Sequence, residues 1–332
     1  MTRWTRARAW CALATLLPPL LGGCDRSTAP AAGGPLSLVF LDNAARLNAV
    51  RGGHTPMLTG LSDVIPVAST RGKVAFLAPA RSIVVNGGVV ADPGGLRLYS
   101  LDDGCVDTLP VPRPDGGAGL AAISPDGSTM AYVSVHSAVY LVTVRLADNA
   151  RDSVNLSVRS DQPAAVQVVG ATPVYSPSGD SVAFLLPNPI GLQLLIYEVR
   201  SGRVEMFPVP VPVTTQFDAT LRGWPRWTPD AAIRFLVRRR TPQVESDTLA
   251  VLKVFPRQPQ RPAEVAFEGH PPSGRALGTA GSYSFDAAGT TVAFTLVGAE
   301  GLRIFVLRQG ARVFDELAVG DGVRPARPLI VP

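Results

Sequence analysis

The chain has 332 residues, of which 46% are hydrophobic and 17% are charged, and its formal net charge at pH 7 is +5. Three of its basic residues lie in an N-terminal segment predicted to be removed, which leaves 28 basic against 26 acidic residues and a net charge of about +2. So small a basic excess gives no reason to expect a nucleic-acid partner, and none is predicted.

The N-terminus has the pattern of an export signal. Three arginines precede an apolar run from Ala9 to Leu21, which at 13 residues is too short to span a bilayer. The run ends in Leu21-Gly22-Gly23-Cys24, which resembles the lipobox of bacterial lipoproteins. That resemblance implies that residues 1–23 are a signal peptide, that Cys24 is lipidated, and that Cys24 begins the mature protein. The alternative is an ordinary signal peptide with an incidental cysteine at position 24.

The lipidated Cys24 and residues 25–35 form the next segment, which is rich in proline, glycine and alanine and is predicted to be a flexible linker. Residues 36–332 are predicted to form one folded domain. No later stretch is long and apolar enough to cross a membrane. With Cys24 lipidated, Cys105 is left without a partner in the mature chain, so no disulfide is predicted.

One short pattern recurs along the folded domain. Ser124-Pro125-Asp126-Gly127 leads to Met130-Ala131-Tyr132, and Ser176-Pro177-Ser178-Gly179 leads to Val182-Ala183-Phe184. Weaker copies lie at 69–76, 227–235 and 285–294. The aromatic residues that close the five copies are 51 to 59 positions apart: Phe76, Tyr132, Phe184, Phe235 and Phe294. A period of this size with one tight turn per unit is typical of a solenoid or a propeller.

Each copy is predicted to be a β-hairpin. In a type I turn, Ser suits position i, Pro presets φ at i+1 and Gly fits at i+3, and residues 124–127 match this template. The flanking arms, 120–123 and 130–133, are almost continuously apolar, which indicates strands buried on both faces. A second hairpin follows, with its turn at 102–104, 201–202 or 309–310. Two hairpins in about 50 residues make a four-stranded antiparallel propeller blade.

The Ser-Pro-Asp-Gly…Ala-Tyr/Phe pattern resembles the TolB-type propeller repeat, a relative of WD repeats, over roughly residues 64–318. The resemblance implies an all-β propeller of four-stranded antiparallel blades. The chain departs from TolB itself, which has an additional N-terminal α/β domain and no lipid anchor. The binding partner of TolB is therefore not carried over to this chain.

The ends of the domain are predicted to complete the ring together. Residues 36–63 contain an outer hairpin without an inner partner, and residues 319–332 end in the apolar segment 329–331. Their combined length is close to one blade, so the ring is predicted to have six blades, one of them shared between both ends of the domain. Closure would remove exposed strand edges. Five or seven blades stay open, because the shared blade lacks a strand in this prediction.

Binding is expected on one face of the propeller. When the strands of a blade are ordered A to D from the axis outward, the tight A–B and C–D turns share one face (the turn face). The long B–C and D–A connections share the other (the loop face), and such loops carry function disproportionately. Arg238-Arg239-Arg240 opens one long connection, next to Arg222 and Trp224 of another. Arg and Trp are frequent in interfaces, so these five residues are the predicted binding surface; the alternative is a solvated rim.

Enzyme signatures are mostly absent. The histidines His54, His136 and His270 do not have metal-ligand spacing, and there is no nucleophile elbow or Walker loop. No catalytic residue, metal or cofactor is predicted. The main hypothesis is a non-catalytic, monomeric, membrane-anchored propeller in the bacterial envelope that binds a protein, peptide or glycan through its loop face. Its location on the inner membrane, the outer membrane or the cell surface is left open. The alternative is a hydrolase or lyase whose acidic residues meet in the central funnel.

Overall fold

The protein is seen in a computed structural model that describes residues 37–51, 57–70, 72–79, 81–85, 88–92, 94–108, 121–135, 138–156, 172–188, 191–212, 215–216, 222–239, 248–258, 260–272, 278–298, 301–319 and 325–331. The signal peptide, Cys24 and the linker lie outside these ranges. Within them, no helix is long and apolar enough to cross a lipid bilayer.

Six antiparallel sheets form the blades, which confirms the predicted all-β, six-bladed propeller. Blade 1 contains β28 (Ala326–Val331), β1 (Ser37–Leu41), β2 (Arg46–Arg51) and β3 (Met57–Ser62), from the axis outward. Blade 2 contains β4 (Ile65–Thr70), β5 (Lys73–Ala78), β8 (Gly95–Ser100) and β9 (Val106–Thr108). Blade 3 contains β10 (Ala121–Ile123), β11 (Thr129–Val135), β12 (Val139–Arg145) and β13 (Arg151–Asn155).

The remaining blades follow in chain order. Blade 4 contains β14 (Val174–Tyr175), β15 (Ser181–Asn188), β16 (Gly191–Glu198) and β17 (Val204–Val209). Blade 5 contains β18 (Thr215–Gln216) and β20 (Arg226–Trp227), both paired with β21 (Ile233–Arg239), then β22 (Thr248–Val254) and β23 (Glu264–Gly269). Blade 6 contains β24 (Thr279–Phe285), β25 (Thr291–Gly298), β26 (Gly301–Arg308) and β27 (Asp315–Leu317), with β19 (Arg222–Trp224) added parallel to β24.

Blade 1 joins the two ends of the folded domain. Its inner strand β28 pairs antiparallel with β1, with Leu329 opposite Val39 and Ile330 opposite Leu38. The predicted ring closure by residues 319–332 is therefore confirmed. The expectation that this blade lacks a strand is wrong, because β3 supplies the fourth. This strand was hard to predict because Gly60 adopts a φ of +77° within it and the β2–β3 register shifts.

One predicted long connection is partly regular. Between β5 and β8 the chain forms a separate two-stranded hairpin from β6 (Arg81–Val85) and β7 (Gly88–Asp92), in which Arg81 pairs with Asp92. Strand pairing is possible here because both segments contain runs of β-branched residues.

The repeated turn has the geometry that its sequence predicts. The Gly127 amide donates to the Ser124 carbonyl over 2.8 Å, and Gly127 has a φ of +75°, where a glycine is favoured. The Ser124 hydroxyl accepts a bond from the Thr129 amide and donates to the Asp126 carboxylate. Blade 4 repeats the arrangement with Ser176 and Gly179. The hydroxyls and carboxylates therefore satisfy backbone groups that the turn leaves unpaired.

The hydrophobic core lies between neighbouring blades. The aromatic residues that close the five repeats are all buried: Phe76, Tyr132, Phe184, Phe235 and Phe294. Clusters of these and neighbouring side chains join adjacent blades, as where Ala131 of blade 3 packs with Phe184 and Tyr197 of blade 4. The inner strands also contact one another in a closed cycle around the axis. The repeat therefore specifies both the hairpin and the inter-blade packing that holds the ring.

One cysteine differs from expectation. Cys105, between β8 and β9, is disulfide-bonded, and its partner lies outside the described residues.

Candidate functional site: a cavity on the propeller axis

The predicted binding surface is not brought together as one patch in the described structure. Trp224 was expected on an exposed connection, but its side chain is only 8% exposed and packs in the hydrophobic cluster of blades 1 and 2. Its placement on the loop face is therefore corrected. The physical reason is that burying a large indole is favourable, and its N–H finds an acceptor in the interior.

The arginines of that surface lie elsewhere. Arg238 and Arg239 end β21 and are half-buried, and Arg239 forms an ion pair with Glu268 of the same blade. Arg222 belongs to β19 by its backbone, but its side chain lies outside the described residues, as does all of Arg240. A binding role for these arginines stays a prediction.

Trp224 connects two blades of the ring. Its Nε1 donates to the Val67 carbonyl over 2.6 Å, and Val67 belongs to blade 2, whereas the backbone of Trp224 pairs with β24 of blade 6. The preceding Gly223 lets the chain approach β24 closely, since a Cβ there would lie 2.4 Å from the Tyr283 carbonyl oxygen. The Gly223 carbonyl accepts a bond from the Thr172 hydroxyl. The indole therefore contacts blades 1 and 2 at the cavity wall, and the neighbouring Gly223 contacts β24 of blade 6 and Thr172.

The inner strands are also joined by side-chain hydrogen bonds. The Ser69 hydroxyl of blade 2 donates to the Ile330 carbonyl over 2.8 Å. The Ile330 amide of blade 1 donates to the Ser284 hydroxyl of blade 6 over 2.7 Å. Blades 6, 1 and 2 are thereby linked at the axis, which makes the surroundings of Trp224 rigid.

A cavity of about 330 Å³ lies on the axis above Trp224. Its walls come from the inner segments of all six blades, at residues 68–70, 121–123, 173–175, 225–227, 284–285 and 329. Its edge is formed by equivalent positions of four A–B turns: Pro125, Pro177, Pro229 and Ala287. Because these turns lie on the turn face, the cavity opens there, on the opposite side from the predicted loop surface.

Arg226 is the charged residue in this lining. Its backbone pairs with Arg234, but its side chain forms no hydrogen bond or ion pair among the described residues, and its Nε is buried without a partner. Burial lowers the pKa of the Arg226 guanidinium, while the nearby Asp286 carboxylate acts in the opposite direction. Since an arginine pKa starts above 12, the group stays charged at neutral pH. The cavity therefore presents a positive charge whose hydrogen-bonding capacity is unused.

The rest of the lining is mainly apolar. Trp227 and Phe285 contribute aromatic surface, and proline and aliphatic residues contribute most of the remainder. The hydroxyls of Ser69 and Ser284 already bond to Ile330, whereas the Tyr175 hydroxyl is buried without a partner among the described residues. No Asp, Glu, His or Cys belongs to this lining, so the described cavity offers no carboxylate, imidazole or thiol for acid–base or nucleophilic chemistry. Nor does the described part of the chain gather three or more such side chains at metal-binding distance.

This cavity is not among the sites predicted from the sequence, although the sequence contains signals for it. The proline at position i+1 was assigned only to turn geometry, whereas its repetition also places a ring of prolines around the axis. The segment Trp224-Pro225-Arg226-Trp227 differs from the small and aliphatic residues at the same place in blade 3. A charged residue on a strand that faces the axis was the clearest available signal.

No protein-family model matches the chain, and no curated protein matches it. Among solved structures, the fold is similar to that of TolB from Acinetobacter baumannii, with 15% identity, a TM-score of 0.57 and coverage of 90% of this chain and 67% of that chain. It is also similar to a chain of a nidogen/laminin complex, with 12% identity, a TM-score of 0.54 and coverage of 90% and 98%. At these identities the similarity concerns the fold alone: the chain has a TolB-like β-propeller.

Proposed function

We propose that this chain is a non-catalytic, lipid-anchored, exported propeller that binds a protein, peptide or glycan of the bacterial envelope, and that the partner enters the central cavity on the turn face. The observation that carries the proposal is the cavity itself, which is walled by the inner segments of all six blades and lined by proline, aliphatic and aromatic side chains together with Arg226 and a few hydroxyl groups. Ligand sites in proteins are typically concave and mostly apolar, with a few placed polar groups.

The anchoring part of the proposal is supported by the N-terminal sequence, with its arginines, short apolar run and lipobox-like segment ending at Cys24. Mass spectrometry of the mature N-terminus tests it, and we expect a lipidated Cys24 as the first residue. An unmodified Cys24, or a mature chain that starts elsewhere, contradicts the anchoring.

The binding part is tested by photo-cross-linking in cells. A photoreactive amino acid is placed at Ala287, on the edge of the cavity, or at Val297, which is exposed at the opposite end of the same blade. We expect an envelope component to be captured from position 287 and little from position 297. Capture from 297 alone would instead support the loop face, where Arg238 and Arg239 lie nearby in blade 5.

The alternative, a hydrolase or lyase acting in the central funnel, has less support because the described cavity is lined by neither carboxylates nor imidazoles. Incubating the purified protein with envelope glycans and peptides, followed by mass analysis, tests this alternative. We expect no cleavage product.

A further inference from the structure

The charge of Arg226 is the starting point. Its closest counter-charge is Asp286, but the carboxylate of Asp286 already accepts bonds from the Thr290 amide at 2.8 Å, the Thr290 hydroxyl at 2.9 Å and the Thr291 amide at 3.1 Å. The contrast with Arg234 of the same blade is clear. That guanidinium donates to Asp230 at 3.0 Å and to the Gly289 carbonyl at 2.8 Å. The Arg226 guanidinium in the cavity lining can therefore pair with a group from outside.

An unpaired, partly buried guanidinium is costly to keep. Removing a charge from water without a compensating partner is unfavourable. A planar guanidinium recovers most when it donates two parallel hydrogen bonds to a carboxylate or a phosphate. The cavity thus favours an anionic ligand that can accept from Arg226.

The remaining lining limits what carries that anion. A sugar has many hydroxyls, each of which needs a partner when it leaves water. Here the wall is built mainly from proline, aliphatic and aromatic side chains, and two of its hydroxyls, Ser69 and Ser284, are already engaged. The Tyr175 hydroxyl of this wall is unpaired among the described residues, but so few polar groups cannot satisfy the hydroxyls of a sugar. An apolar body with a single carboxylate fits this lining better than a polyhydroxylated one.

The size and shape of the cavity favour a chain end. Its volume of about 330 Å³ is near the lower limit of about 300 Å³ for small-molecule pockets. Inner segments of all six blades surround this small volume, which suits the end of a peptide better than a loop that enters and leaves again. A chain end requires less room than a turn.

Resting on the proposed function, we infer that the central cavity binds the C-terminal carboxylate of a peptide whose last residues are apolar, with Arg226 pairing the carboxylate and Trp227 and Phe285 contacting the apolar side chains. This assigns the turn face a specific chemistry: recognition of a free, hydrophobic C-terminus.

Tryptophan fluorescence gives a direct measurement. The sequence has four tryptophans, and removal of residues 1–23 leaves only Trp224 and Trp227, both in the cavity lining. The mature protein in detergent is titrated with acetyl-Ala-Leu-Val carrying a free carboxyl terminus, with its C-terminal amide, and with acetyl-Leu-Asp-Val-amide. Glucuronic acid serves as an anionic sugar. We expect the free-carboxyl peptide to bind tightest, by about 10-fold or more over the amide.

Variants of Arg226 connect this binding to the guanidinium. Arg226→Gln is expected to weaken the free-carboxyl peptide by about 10- to 100-fold and to leave the amide peptide unchanged. Arg226→Lys keeps the charge but loses the planar pair of N–H donors, so its affinity for the free-carboxyl peptide should lie between those of the wild type and Arg226→Gln. Arg145→Gln is the matched control, because Arg145 is exposed on blade 3 and far from the lining. Melting temperatures show that each variant is folded.

The outcomes separate this inference from the proposed function. Recognition of a chain end is overturned if the free-carboxyl peptide and its C-terminal amide bind equally. It is also overturned if acetyl-Leu-Asp-Val-amide or glucuronic acid binds more tightly than the free-carboxyl peptide. Failure of every probe to bind at millimolar concentration also overturns it. The proposed function would fail separately, if no envelope component cross-links at position 287.

Discussion

Blades 4 and 5 are neighbours in the ring, but the segments that approach the axis differ. In blade 4, β14 consists of Val174 and Tyr175, and the following turn has Gly179 at a φ of +78°. The segment that leads into blade 5 contains Trp224 of β19, which pairs with blade 6, and Arg226 of β20, whose Nε is buried without a partner. Packing and turn geometry explain the first segment apart from the unpaired Tyr175 hydroxyl, and they do not explain an unpaired guanidinium. The comparison indicates that the regular repeat specifies the fold, whereas departures from it mark candidate functional residues.

The largest loss of stability is expected when the inner strand that closes the ring is removed. Deleting residues 319–332 removes β28, in which Leu329, Ile330 and Val331 are at least 95% buried. Each such side chain contributes about 1.5–3 kcal/mol, so we expect a loss of several kcal/mol and association through the exposed edge of β1. Thermal melting and size-exclusion chromatography measure both. A monomer with an unchanged melting temperature would contradict the closure by β28.

The next effect concerns the irregular segment of blade 5. Trp224→Ala is expected to lower the free energy of unfolding by about 3–5 kcal/mol, because it leaves a cavity where the indole packs. Trp224→Phe retains most of the packing but loses the bond to the Val67 carbonyl, so about 1 kcal/mol is expected. Urea denaturation provides the measurement. If both variants match the wild type, Trp224 is not buried and the loop-face prediction regains its support.

Much of the fold could be predicted because its determinants are local. The Ser-Pro-Asp-Gly turn, the apolar arms and the buried closing aromatic residue recur within about ten residues, and their period gives the blade. The site depends on distant contacts: Trp224 and its acceptor Val67 are 157 positions apart, and no local pattern links them. The Asp286 carboxylate near Arg226 accepts hydrogen bonds from the Thr290 and Thr291 amides, and these contacts can be seen only in the folded structure. Sequence periodicity carries no information on such pairings.

Smaller changes in stability, of opposite sign, are expected from substitutions in the A–B turns of blades 4 and 5. Gly179 in blade 4 and Ala231 in blade 5 occupy the same position, with φ of +78° and +61°. A left-handed conformation costs a non-glycine residue about 1–2 kcal/mol. We therefore expect Gly179→Ala to destabilise by about 1 kcal/mol and Ala231→Gly to stabilise by about 0.5–1 kcal/mol, since glycine also raises the entropy of the unfolded chain. Changes of the same sign in urea denaturation would show that the two turns are not equivalent.

The smallest effect concerns the carboxylate of the regular turn in blade 3. Hydrogen bonds from the Ser124 and Ser128 hydroxyls, and from the Ser128 amide, lower the pKa of Asp126 to about 2. A carboxyl group whose pKa is lower in the folded protein stabilises it above its unfolded pKa of about 3.9, and this contribution is lost as the pH falls through about 2. Asp126→Asn keeps the shape and removes the charge.

We expect the wild type to exceed Asp126→Asn in stability by less than about 1 kcal/mol at pH 7, because the side chain is exposed and solvent screens its interactions. The difference should be constant down to about pH 4 and disappear near pH 2. Denaturant titrations of both proteins between pH 2 and pH 7 measure it. A difference that grows as the pH falls would mean that the folded protein favours the protonated form of Asp126, and the hydrogen bonds of this turn would then have another role than holding a carboxylate.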